Sequence, residues 1–430
     1  MPTQLSRREA IQTAAGAAAA AGLWLGAGTS TSAASSPNEK LNIACIGIGG
    51  RGAANLGGVS SQNIVALCDV DEKRAGGGFT KFPKARRFQD YRRMFDAMDK
   101  NIDAVVVSTP DHTHFHPAIT AMQMGKHLYC EKPMAHSVWE IREMTRMAKK
   151  MKIATQLGAQ RHTLTNMHRS VELVQAGVIG KVSDVHSWIG GERGMPGAAK
   201  TGESVPKHLN WDLWLGPAAD RAYSSSYCPY NWRFWWDFGT GETGNWGCHI
   251  LDIPFWALGL KYPTRVDASG PEVHPQQASK AMATHLSFPD QGVTLHWYHA
   301  KSGPPVLKEK GLSGKGMNTL FIGSKGMLLT GFGGHVLLPE DKFEGLKRPD
   351  QTIPRSPGFY NEWFTACKGG APATCDFDYS GPLSETVLLA NTAYRGGGFD
   401  WNSDTLSTGG NKKAAGLIRT EYRKGWEPPT

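Results

Sequence analysis

The chain is poor in several features that mark specialised folds. Its seven cysteines are an odd number, scattered at positions 45, 68, 130, 228, 248, 367 and 375 with no CxxC pair. That pattern argues against a disulfide framework and against a cysteine-based metal site. Cys45, Cys68 and Cys130 fall in apolar runs, where a free thiol behaves as a small hydrophobe. Charged residues make up only 20% of the chain, and no internal repeat occurs. With 40% hydrophobic residues there is ample material for a core, which excludes wholesale disorder. The 51 glycines show no three-residue period, so collagen is excluded. Long apolar runs are also missing. The stretch from Ile11 to Gly28 is too rich in Ala and Gly to favour a stable membrane span, and no second candidate follows. A net charge of +9 invites a nucleic-acid reading, but the basic runs at Lys84–Arg87 and Arg92–Arg93 are interrupted by aromatic and acidic residues. They read as solvated surface, because phosphate binding needs many cations on one face.

What is present begins with an address. Ser6–Arg7–Arg8 precedes the Ala/Gly stretch and then a Ser/Thr/Ala segment to Ser36. This order of charged, apolar and small residues is that of an export signal, and the paired arginines point to the twin-arginine route and a periplasmic location. Residues 1–36 are therefore read as leader and linker.

From Leu41 the chain alternates short apolar runs with helical spacing. Leu41–Ile46, Ile64–Cys68, Ala104–Val107 and His127–Cys130 read as buried strands, with helices between them and a further helix from about Ser137 to Lys150. Such alternation predicts a doubly wound parallel α/β sheet over residues 40–158. Later candidate strands at Val182–Ile189, Met282–Leu286, Val293–Tyr298, Leu320–Ile322 and Met327–Thr330 predict an α+β domain over 159–382 with a mostly antiparallel sheet. A last helix, Leu383–Tyr394, opens a C-terminal segment over 383–430.

The first strand ends at Gly47–Ile48–Gly49–Gly50–Arg51–Gly52, a GxGxxG. Its glycines permit a tight turn, backbone approach to a pyrophosphate and close packing of the next helix, whose positive end faces the anion. The second strand ends at Asp69, 20 residues after Gly49, where an acid accepts hydrogen bonds from ribose hydroxyls. Val70 follows it rather than an Arg, which favours NAD over NADP. Ser108–Thr109–Pro110 and Asp111–His116 follow the third strand, and Glu131–Lys132–Pro133 the fourth. All stand at the carboxyl edge of the sheet, where cofactors lie in this class of fold. His112, His114 and His116 form an HxHxH, but no acid or thiol set with metal spacing accompanies them, so no metal is expected.

The motifs GIGGRG, ALCDVD, STPDHTH and CEKPMAHS together resemble the Gfo/Idh/MocA oxidoreductase family, and more narrowly its exported branch. NWRFWWDFGTGETGNWGCHILDIPFW and PLSETVLLANTAYRGG extend the resemblance over roughly residues 40–402. The resemblance implies that Lys132 is the catalytic or nicotinamide-ribose lysine. It further implies that His249 is the general base, with Asn245 where the family usually has Asp. An amide there can orient His249 but not stabilise its charge; alternatively Asn245 hydrogen-bonds a substrate hydroxyl. A homo-oligomer formed through the open sheet is implied as well. Seven of the 14 tryptophans lie between Trp211 and Trp256, interleaved with Tyr223, Tyr227 and Tyr230. Tyr230, Trp232 and Trp246 suit the C–H faces of sugars, with Arg233 and Asp237 available for hydroxyls; packing of a core or subunit interface is the competing reading. Three functions fit: an NAD-dependent oxidoreductase of sugars or polyols with a retained cofactor, an NAD-dependent glycosidase that oxidises transiently, and a non-catalytic sugar-binding protein.

Overall fold

The computed structural model describes residues 40–428 apart from residue 302, so the expected leader lies outside the described residues. The apolar runs form a six-stranded sheet: β1 (Asn42–Ile46), β2 (Asn63–Cys68), β3 (Arg86–Phe88), β4 (Ala104–Val107), β5 (His127–Cys130) and β6 (Thr155–Leu157). Every pairing is parallel, and the strand order is β3-β2-β1-β4-β5-β6. β4 is buried along its whole length because helices cover both faces of the sheet. β3 escapes the sequence pattern because it is a three-residue strand, Arg–Arg–Phe, with no apolar run. The helices are α1 (Arg51–Gly58), α2 (Glu72–Lys81), α3 (Tyr91–Met98), α4 (Phe115–Gln123) and α5 (Val138–Met151). Their starts follow local chemistry. Asp71 and Asp90 cap α2 and α3, and Ser137 with Glu140 forms a capping box on α5. Since β1 lies between β2 and β4, the chain reverses its winding there and opens a crevice at the strand ends.

After α6 (Thr165–Gln175), a second sheet of eight strands follows: β7 (Val182–Ile189), β8 (Arg265–Ser269), β9 (Met282–Phe288), β10 (Val293–His299), β11 (Thr319–Gly323), β12 (Gly326–Thr330), β13 (His335–Leu338) and β14 (Phe399–Asp400). All its pairings are antiparallel except β7 with β10. β7 has the bounds its alternation predicts, whereas β8 is mostly polar and β13 and β14 are too short to stand out. Helices α7 (Gly241–Ile250) and α8 (Asp252–Leu258) lie before β8.

The C-terminal part is not a separate appendage. α9 (Phe359–Cys367) packs on β6, and α10 (Phe377–Gly396) packs on α5, α7 and β8. α10 therefore starts before the expected boundary at 383, which falls inside a continuous helix. Pro382 reads as a breaker, yet it sits within α10. Close approach to α5 holds the helix: a Cβ on Gly381 would lie 2.6 Å from the Thr145 hydroxyl. Arg142 of α5 reaches the buried Glu385 of α10, Nη2 to Oε1 3.0 Å, and Trp401 Nε1 donates to the same oxygen at 3.0 Å. All seven cysteines are free and buried. Among the described residues no helix is long and apolar enough to cross a membrane.

Candidate active site

A cleft of about 670 Å³ opens at the carboxyl ends of β1, β2, β4 and β5. One end of it is built by the glycine loop. Gly47 and Gly50 have φ of 76° and 54°, a left-handed backbone that side chains disfavour. A Cβ on Gly52 would stand 1.9 Å from the Gly47 carbonyl oxygen, so only glycine lets α1 start so close to the turn. Among the described residues the Gly49 and Gly50 amides have no acceptor within the protein, and they sit at the positive end of α1. Such a cradle fits a phosphate pair. Ile48 N donates to Asp69 Oδ2 at 2.8 Å and Asp71 N to Oδ1 at 3.0 Å, so the acid is fixed against the turn. Burial raises its pKa, partly offset by these two N–H donors. The donor set fits the ribose and pyrophosphate of a dinucleotide.

The other end is built by β5 and α7. Lys132 Nζ donates to the Asn245 carbonyl at 2.6 Å and to Asn245 Oδ1 at 2.9 Å. Asn245 and His249 are one helical turn apart on α7, and both line the cleft. The sequence reading has residue 245 orient His249 or bond a substrate hydroxyl, but its amide oxygen accepts from Lys132. His249 Nδ1 is buried and has no hydrogen-bond partner among the described residues. Burial lowers its pKa well below the ordinary imidazole value, and Lys132, Arg161 and Arg51 push it the same way. Burial also lowers the pKa of Lys132, against the pull of Glu131 and Asp111. A neutral imidazole and a desolvated amine thus share one wall, a pairing able to accept and donate protons.

Glu131 has a different part. Its Oε1 accepts from Arg51 Nε at 3.0 Å, Asn55 Nδ2 at 3.0 Å and Gln160 Nε2 at 2.7 Å, and Tyr360 Oη donates to Asn55 Oδ1 at 2.8 Å. The Arg51 of the glycine loop is thereby tied to the end of β5. Thr109 and Pro110 line the cleft, as does His114, whose two ring nitrogens lie 2.8 and 2.9 Å from the backbone oxygens of Pro133 and Thr109. His112 faces the Phe238 and Trp214 carbonyls and His116 the Trp426 carbonyl. The three rings of the HxHxH motif thus hold separate backbone segments around the cleft. One other group, His162, Asp252 and Cys375, has ligand-type atoms within 4.8 Å of one another. It does not line the cleft, and its Asp252 already accepts from His162 at 2.9 Å and from Tyr379 at 2.5 Å.

Tyr230, Trp232 and Arg233 line the cleft; Ile48, Gly52 and Trp246 do not. Ile48 packs into the core, and Trp246 lies beside His249 with ring centroids 6.0 Å apart. Asp237 pairs with Arg221 and is not a lining residue either. Most of the aromatic cluster is core: Trp214, Tyr227, Trp232, Trp235 and Phe238 are buried against one another. Trp426 and Arg161 are among the lining residues that went unread in the sequence. Trp426 arrives from the C-terminal tail without any local signal, and Arg161 follows β6 in a Gln–Arg–His turn that resembles ordinary loop.

Residues 41–159 match the model of an oxidoreductase family with an NAD-binding Rossmann fold, and residues 186–300 match the C-terminal alpha/beta domain of the same family. The myo-inositol 2-dehydrogenase of Thermotoga maritima is 29% identical over 144 residues, 33% of this chain and 42% of that protein. Inositol 2-dehydrogenase 2 of Saccharopolyspora erythraea is 37% identical over 99 residues, 22% of this chain and 29% of that protein. The matched stretches thus span less than half of either relative. Among solved structures, an aldose-aldose oxidoreductase from Caulobacter crescentus aligns with a TM-score of 0.58 at 18% identity, covering 84% of this chain and 100% of that one. The WlbA dehydrogenase from Bordetella pertussis, solved with NADH and UDP-GlcNAcA, aligns with a TM-score of 0.59 at 17% identity, covering 82% and 95%. At these identities the likeness to solved structures is one of fold. With both halves matched and the glycine cradle in place, the chain belongs to the Gfo/Idh/MocA family of NAD-binding oxidoreductases.

Proposed function

We propose that the protein is an NAD-dependent oxidoreductase that acts on a hydroxyl-bearing carbon of a sugar or polyol. The observation that carries this reading is the convergence of Lys132 Nζ, Asn245 and the unpartnered His249 Nδ1 on the cleft that also holds the glycine cradle. The cradle and Asp69 would hold NAD, which when bound supplies a hydride acceptor. His249 is held neutral by burial and by neighbouring cations, so it can take the hydroxyl proton at neutral pH. Lys132 has two donor directions fixed by Asn245 and one left to hydrogen-bond the substrate oxygen as it becomes an alkoxide. The inositol dehydrogenases among the relatives support a polyol or sugar as substrate.

The cofactor is expected to stay bound through turnover. Denaturing the purified protein and quantifying NAD(H) in the supernatant tests this, and an empty protein would sink it. Sugars and polyols are then added to the loaded enzyme. NADH absorbance appearing with a free sugar or polyol supports the reading. Release of p-nitrophenol from a p-nitrophenyl glycoside, without NADH accumulating, would instead make it a glycosidase. Lys132→Ala and His249→Ala should each lower kcat by about 10²-fold or more while leaving cofactor content unchanged.

A further inference from the structure

Among the described residues, two guanidinium groups of the cleft form no close ion pair, and Asp111 and Glu242 act on Arg233 only at longer range. Arg161 lies 4.1 Å from the centre of the Phe332 ring and 5.3 Å from that of Trp246. Arg233 lies 4.2 Å from the Trp232 ring and 4.5 Å from the Tyr230 ring, and its Nη1 donates to the Tyr230 carbonyl at 3.1 Å. Among the described residues neither forms an ion pair, and Arg161 makes no hydrogen bond through its side chain. Three acids of the cleft have their hydrogen bonds with other groups. Glu131 is held by Arg51, Asn55 and Gln160; Asp111 Oδ2 accepts from Thr240 N at 3.1 Å and Thr240 Oγ1 at 2.6 Å; Asp69 is held by two backbone amides.

An arginine packed on an aromatic ring keeps its in-plane N–H donors for another group, in the fork that matches a carboxylate. Both cations line the cleft that holds the reacting pair, and Arg161 acts electrostatically on His249 and Arg233 on Lys132. Both are partly desolvated, which pulls their pKa down rather than up. Arg161 has no counter-charge acting on it, and a desolvated cation of that kind is costly unless a ligand supplies one; Arg233 has only the longer-range pull of Asp111 and Glu242. The phosphates of a dinucleotide already have donors at the glycine loop, so the missing anion belongs to the other ligand.

We propose that the substrate is a sugar or polyol acid, whose carboxylate is attracted by Arg161 and Arg233 while a hydroxyl of the same molecule meets Lys132 and His249. This inference rests on the oxidoreductase reading above for its chemistry but not for its binding. The test sets uronates and aldonates against the matched neutral sugars, using NAD-loaded protein, with NADH formation and calorimetric binding as separate readouts. The acids should exceed their neutral partners in kcat/KM by about 30-fold or more. Arg161→Met and Arg233→Met, which keep much of the apolar stem, should shrink that preference towards unity, chiefly by raising KM for the acids. The variant with the larger effect identifies the guanidinium that grips the carboxylate. Neutral sugars reacting as well as the acids would overturn the inference and leave the oxidoreductase standing. So would a preference that survives both substitutions. If neither class is oxidised but the acids bind and the variants abolish that binding, the inference holds and the oxidoreductase reading falls. No binding of any acid overturns the inference, and oxidation of the neutral sugars then decides the oxidoreductase reading separately.

Discussion

Asn245 is the residue whose identity sets the charge state of the site. A carboxylate at that position would sit where the amide oxygen now lies, 2.9 Å from Lys132 Nζ, and one helical turn from His249. A negative charge there would favour the charged forms of both bases and raise both pKa values. The neutral amide anchors the ammonium without that effect, so burial and neighbouring cations prevail and His249 stays unprotonated. Asn245→Asp is therefore expected to move the acid limb of the kcat/KM–pH profile upward by about one unit, because His249 must lose its proton at a higher pH to act as base. An unmoved limb would mean that His249 is not the group that titrates. Sequence reasoning identifies the substitution but assigns its effect to His249 or to a substrate hydroxyl, not to Lys132. Residue 132 lies 113 positions away from residue 245, and nothing local reports that they touch.

At the scale of elements, the cleft depends on how α1 leaves β1. The Cβ that Gly52 lacks would fall 1.9 Å from the Gly47 carbonyl oxygen, a collision with backbone rather than with a side chain that could swing aside. Gly52→Ala must therefore push α1 away from the turn and spoil the anion cradle. The variant is expected to be purified without NAD and to bind added NAD at least about tenfold more weakly, as measured by calorimetry, while far-UV circular dichroism stays close to the parent. Undiminished NAD affinity would show that the loop tolerates the displacement. This element was legible because its glycines, the preceding apolar run and Asp69 all lie within a short span and each has a local cause. β3, β8, β13 and β14 were not legible: they are short or mostly polar, and neighbours in the sheet hold them rather than their own pattern. The start of α10 was missed for a related reason. Pro382 suggests a boundary, and the packing of α10 on α5, α7 and β8 overrides it.

Across the whole molecule, buried histidines make stability depend on pH. His112 is tied between the Phe238 and Trp214 carbonyls, and burial lowers its pKa to about 3; burial lowers that of His299 to about 4. In the unfolded chain both revert to about 6.5 and bind protons first. Their contribution is thus fully present above pH 6.5 or so and is lost as pH falls towards the folded values. At pH 5 each should cost about 2 kcal/mol relative to pH 7, visible as a lower urea midpoint at pH 5. His112→Gln should flatten that dependence, and an unchanged slope would place the acid sensitivity elsewhere. Because NAD would bind only the folded chain, saturating NAD is expected to raise Tm, and the shift should be smaller in Gly52→Ala at the same NAD concentration.

The amino-acid sequence by itself determined the two sheets, the glycine turn, Asp69 at the end of β2 and Lys132 at the end of β5. Each of these follows from spacing within one or two elements, where the periods of strand and helix hold. The tertiary structure alone decided whom these groups face. It gave Asn245 to Lys132, engaged Glu131 with Arg51 of the glycine loop, made most of the tryptophan cluster core, and brought Arg161 and Trp426 to the cleft wall. Such partners come from packing between distant segments, and burial then decides their charge, so no local pattern could have announced them.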